Sequence, residues 1–64
     1  MAGHKMTMTV ARTAKGVRAT AVIKDDDGYT VRWYADGFAN TVDTTAAAAE
    51  AGAVRALKIL RDTP

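Results

Sequence analysis

Apolar and polar residues alternate along the first half of this chain and then give way to a longer period. From Met6 the alternation places Met6, Met8 and Val10 on one side and Thr7, Thr9 and Ala11 on the other, the period-two signature of a half-buried strand. Val17, Ala19, Ala21 and Ile23 alternate in the same way with Arg18, Thr20, Val22 and Lys24, and Tyr29, Val31 and Trp33 with Thr30, Arg32 and Tyr34. Strands are predicted over residues 5–13, 17–25 and 29–35. Lys15-Gly16 supplies the first turn, and a two-residue loop there pairs Val10 with Ala21 and Met8 with Ile23, apolar against apolar. At the second turn a two-residue Asp27-Gly28 loop would set Ile23 opposite Arg32. A three-residue Asp26-Asp27-Gly28 loop instead sets Ile23 opposite Val31 and Ala21 opposite Trp33, with glycine at the left-handed position such loops need.

Beyond Tyr34 the alternation lapses. Residues 35–42 read as irregular, with Gly37 as a turn, Phe38 as an aromatic plug beneath the loop and room for a short fourth strand over 40–42. Asp43 or Thr44 offers a side-chain oxygen to the free amides of a helix start, and the spacing predicts a helix over 45–61, with Pro64 closing the chain. On a helical wheel Ala46, Ala49, Ala53, Ala56, Leu57 and Leu60 form one stripe. Val54 falls to one side of it, and Ile59 nearly opposite, beside Ala48 and Gly52. The helix therefore carries more apolar surface than one sheet can use, and Ala48, Gly52, Val54 and Ile59 are the candidate face for self-association or a protein partner. The expected fold is α+β, a three-stranded antiparallel sheet followed by one C-terminal helix packed on one face (β-β-β-α), as one domain over 1–64. On the same alternation Trp33 belongs to the helix-covered face, as a core residue.

Length sharpens the case for a partner. A chain of 64 residues buries only about 60% of its unfolded surface, and small domains offset a thin core with disulfides, a metal or oligomerisation. Cysteine is absent and the single histidine is His4, too few ligands for a structural zinc. A homodimer is the expectation that remains. The same composition argues against an enzyme: there is no Cys, no Ser and one His from which to assemble a nucleophile with its base. Asp25-Asp26-Asp27-Gly28 reads as a solvated turn rather than a calcium loop, which needs about a dozen residues and a distant bidentate glutamate. No cofactor is expected. No apolar run approaches the roughly 20 residues of a membrane helix, and the first residues lack a signal-peptide pattern, so a cytoplasmic location and no membrane partner are expected.

Formal net charge is only +2, but it is unevenly spread. Lys5, Arg12, Lys15, Arg18 and Lys24 precede any acid, Asp25, Asp26, Asp27, Asp36 and Asp43 then face Arg32 alone, and Arg55, Lys58 and Arg61 make the helix end basic. On the sheet face away from the helix, Arg18, Thr20, Lys24, Arg32 and Tyr34 come together, with Thr7 and Thr9. Guanidinium groups, hydroxyls and an aromatic ring are what contact phosphates and base edges, which makes nucleic acid the alternative partner. An uncovered antiparallel face is also polar for no other reason than that water touches it.

The run Asp27-Gly28-Tyr29-Thr30-Val31, then Gly37, then Asp43-Thr44, then an Ala-rich helix ending in Ala56-Leu57 resembles the antitoxins of the HicB family over residues 17–60. That family has a strand opening at Gly-Tyr, a glycine before the last loop and an Asp-Thr pair opening the helix. Ala35-Asp36 stands where the family has prolines, Ala46-Ala47 replaces its acidic pair, and residues 61–64 show no counterpart of its carboxy-terminal DNA-binding segment. The resemblance implies the β-β-β-α fold, self-association and a small protein partner, as in an accessory protein of a bacterium or phage. The order of elements also resembles the arm-site DNA-binding domain of tyrosine integrases, which lays its sheet in the major groove. That likeness implies DNA contact through Arg18, Thr20, Arg32 and Tyr34.

Overall fold

The middle strand carries the core. In a computed structural model, which describes residues 4–63, the elements are β1 (His4–Thr13), β2 (Gly16–Asp25), β3 (Thr30–Gly37) and α1 (Val42–Asp62). The strands form one antiparallel sheet in the order β1-β2-β3, with α1 packed on one face. Pro64 lies outside the described residues. Val17, Ala19, Ala21 and Ile23, every second residue of β2, are buried, and Ala49, Ala53 and Leu57 of α1 close over them. The alanines let the helix approach the sheet closely, and Ile23 with Leu57 fills the wider end.

The helix lies over β2 and β3 and barely touches β1. Met8 and Val10 point to the helix side, as their alternation predicts, yet stay 36% and 41% exposed. Helix coverage also corrects the reading of Trp33. It sits on the helix side opposite Ala21, but on the outer strand, and is 45% exposed. Its indole lies across Gly52, where a β-carbon would strike the ring.

The second turn forms as predicted: Ile23 faces Val31, Ala21 faces Trp33, and Gly28 has φ +91°. The first turn differs. Ala14-Lys15 is the loop, Thr13 faces Gly16, and Met8 pairs with Ala21 and Val10 with Ala19, two residues away from the expected register. An even shift leaves every side chain on its own face, so the core is unaffected. Gly16 opens β2 instead of forming the turn, and a β-carbon on it would run into the Gly37 carbonyl.

Further corrections fall around the helix start. The helix begins at Val42 rather than residue 45, which leaves no room for a fourth strand over 40–42. Neither Asp43 nor Thr44 caps it. Thr41 occupies the cap position without a side-chain bond to the helix amides, and its hydroxyl donates instead to the Phe38 carbonyl at 2.8 Å. Asp43, in the first turn, interacts favourably with the helix dipole. Phe38 is no plug: it is 76% exposed. At the far end Leu60, expected in the buried stripe, is 42% exposed.

Asp25 was expected to be solvated with its neighbours, and it is buried. Its Oδ1 accepts from the amides of Asp27 at 3.0 Å and Tyr29 at 2.9 Å, holding the β2–β3 turn. Its Oδ2 faces Arg61 Nη1 at 3.3 Å, too poorly aligned for a hydrogen bond, while Arg61 Nη2 reaches Asp27 at 3.3 Å. The turn is thereby clasped to the last turn of α1. Asp25→Ala removes both halves of the clasp and is expected to cost about 2 kcal/mol, read by urea denaturation followed by circular dichroism. Asp25→Asn keeps one acceptor oxygen and should cost clearly less.

Candidate functional site

Register assigns the open sheet face row by row. Lys5, Lys24 and Thr30 lie side by side, then Thr7, Val22 and Arg32, then Thr9, Thr20 and Tyr34, then Ala11, Arg18 and Asp36. Arg18, Thr20, Lys24, Arg32 and Tyr34 thus share one face, as the alternation requires. Arg18 is already engaged: Nε donates to Asp36 Oδ1 at 2.7 Å and Nη2 to Oδ2 at 3.1 Å, and its guanidinium lies 4.4 Å from the centre of the Tyr34 ring. The hydrogen bond from Arg18 holds the Asp36 carboxyl below its ordinary range, and Asp36 in turn raises the Arg18 guanidinium. Both groups are well exposed, so this pair adds little to stability. It does neutralise one end of the face. What remains cationic is the opposite end, Lys5, Lys24 and Arg32.

The other surface is apolar. Ile59 is 60% exposed and, with Trp33, Gly52, Arg55, Ala56, Leu60 and Thr63, lines a shallow groove of about 410 Å³ along the outer edge of β3 and the adjoining flank of α1. Ile59 is therefore not opposite the sheet, as the wheel suggested. It stands on the β3 flank, next to the exposed indole of Trp33. Comparison with protein families, curated proteins and solved structures finds no match to this chain. The surfaces must be judged on their own chemistry.

The predicted self-association residues do not form one face. Gly52 and Ile59 lie toward β3, with Ala48 one turn before Gly52 on the same side of the helix, whereas Val54 lines a separate cavity on the β1 side with His4, Ile23, Leu57, Lys58, Arg61 and Asp62. Gly52 serves as the seat of Trp33. Trp33 and Leu60 were missed as surface residues because both fit a buried stripe by period alone. Asp36 was missed because β3 was expected to end at 35, although the predicted register already set residue 36 opposite Arg18. Among the described residues no cluster of His, Cys, Asp and Glu could hold a metal ion, and no helix is long and apolar enough to cross a membrane.

Proposed function

We propose that this chain is a non-enzymatic binding module, of the antitoxin-like or regulatory accessory kind, that docks a protein partner on the apolar flank between β3 and α1. The observation that carries this reading is the adjacency of three large, exposed apolar side chains, Trp33, Ile59 and Leu60, in one groove. Scattered exposed apolar residues are ordinary, but a contiguous patch on a small domain marks an interaction surface. Exposed tryptophan beside aliphatic side chains is the composition of an interface centre. Arg55 lines the groove and Arg32, immediately before Trp33, lines the adjoining hollow at the strand edge, so the fitting partner offers apolar side chains flanked by carboxylates. The nucleic-acid alternative draws less support, since Asp36 occupies Arg18 and puts a carboxylate among the groups that would meet phosphate.

Ile59→Asp should leave the fold intact and weaken partner binding by about ten-fold or more, on the scale of a lost interface anchor. The measurement is capture from the native host with wild-type and variant baits, followed by titration calorimetry on the purified partner. Binding of duplex DNA with a steep salt dependence, lost in Lys24→Ala with Arg32→Ala but kept in Ile59→Asp, would overturn the reading.

A further inference from the structure

We infer that the occupant of the β3 flank is a second copy of this chain, joined edge to edge through antiparallel β3 strands to make a six-stranded sheet with both helices on one face. The inference rests on the proposed reading of that flank as a protein-docking surface and names its partner.

Two edges of the sheet are open to pairing, and spacing separates them. Because α1 lies over β2 and β3, an axis midway between them would sit about half a strand spacing inside the β3 edge. Pairing β3 with β3 then sets the two helices about 10 Å apart, the distance at which helices pack. Pairing β1 with β1 would leave them roughly 19 Å apart, beyond helix contact and with only the β1 side chains Met6, Met8 and Val10 between. The facing flank of each helix carries the small Ala48, while Gly52 is already covered by the Trp33 indole, which the copy would then bury.

Charge then selects the register. In a two-fold antiparallel pair, β3 can centre on Arg32, Trp33 or Tyr34. Centring on Arg32 sets two arginines opposite each other, and centring on Trp33 sets Arg32 opposite Tyr34 and Asp36 opposite Thr30, with no charge pair. Centring on Tyr34 sets Arg32 opposite Asp36 of the copy, twice by symmetry, and Trp33 opposite the small Ala35. Each Asp36 would then lie between its own Arg18, which already holds both of its oxygens, and the copy's Arg32, whose charge the isolated sheet face leaves unmatched beside it. Backbone geometry agrees. The amide of Asp25 donates to the Tyr29 carbonyl at 3.0 Å, and antiparallel alternation from that pair turns the N–H and C=O groups of Thr30, Arg32, Tyr34 and Asp36 away from β2. Those are the residues that pairing along this edge would bond, in this register as in the other two.

The test is a charge exchange read by sedimentation equilibrium on the full chain. Wild type should be dimeric at high micromolar concentration. Arg32→Asp alone gives the strand edge only acidic charges, and Asp36→Arg alone only basic ones, and each should self-associate on the order of ten-fold more weakly or worse. An equimolar mixture of the two variants should recover a dimer containing one of each. Circular dichroism confirms that both variants fold, since residues 32 and 36 are exposed. A monomeric wild type overturns the inference, and so does a dimer that neither variant weakens and the mixture does not restore. If wild type is monomeric while Ile59→Asp still abolishes capture of another protein, the docking reading stands and only the identity of the partner fails.

Discussion

Leu57→Ala is expected to unfold a large share of this protein at room temperature. Leu57 is among the few large side chains fully withdrawn from water, at 1% exposure, where it closes with Ile23 over the end of the alanine-lined interface. Leu→Ala at such a site costs about 2–5 kcal/mol, the transfer energy of the removed methyls plus the cavity they leave. A domain of this size holds only about 3–10 kcal/mol in total. Its neighbours in the core are mostly alanines, which cannot change rotamer to refill the space, so the upper half of the range is expected. Thermal denaturation followed by circular dichroism is the check, with Ile59→Ala as the internal control. Ile59 is two residues away and equally apolar, but it is 60% exposed, and its truncation should change monomer stability by less than about 0.5 kcal/mol.

The second large effect is expected from a single methyl group. Gly16→Ala should cost about 3 kcal/mol, combining a backbone conformation that L-residues rarely adopt with a steric clash. Gly16 has φ +150°, and a β-carbon there would meet the Gly37 carbonyl and lie 3.3 Å from Phe38 Cα. These are backbone atoms, so no rotamer change relieves the contact, and the start of β2 must move off the end of β3. Melting temperature should fall by about 12–24 °C at the usual conversion for small domains. Gly28→Ala provides the comparison. Gly28 has φ +91° but nothing within 4 Å of an added β-carbon, so only the conformational penalty of about 1 kcal/mol applies. Equal losses at the two glycines would mean that the clash at Gly16 relaxes easily.

These losses bear on function through the thinness of the core. Self-pairing along β3 would bring Trp33 and Ile59 under cover and add to stability by mass action. Under the inferred assembly, both destabilised variants should therefore recover part of their stability as protein concentration rises.

Much of the fold was legible because it follows from local periodicity. Alternation of Val17, Ala19, Ala21 and Ile23 with Arg18, Thr20, Val22 and Lys24 assigns faces regardless of register, since side chains repeat every two residues. That is why the first hairpin could pair two residues away from expectation without moving one side chain to the wrong face. The second hairpin was legible in full, because a charge opposite Ile23 made one loop length untenable. The open face, Arg18, Thr20, Lys24, Arg32 and Tyr34, assembled from the same alternation.

What lay beyond the sequence was lateral position. Period says which side of the sheet a residue faces, but not how far the helix extends across that side. Only the tertiary structure places α1 over β2 and β3, and that placement leaves Met8 and Val10 uncovered on one flank and Trp33 and Ile59 on the other. A helix about 10 Å wide cannot roof three strands spaced about 4.8 Å apart with equal closeness. The burial of Asp25 was hidden for a similar reason: its partner Arg61 is brought to the β2–β3 turn by the whole length of the helix. The sequence by itself determined the order of elements, the faces of the strands and the second turn, all consequences of neighbours in the chain. The tertiary structure decided which apolar residues remain at the surface, because that depends on where two layers of unequal width come to rest.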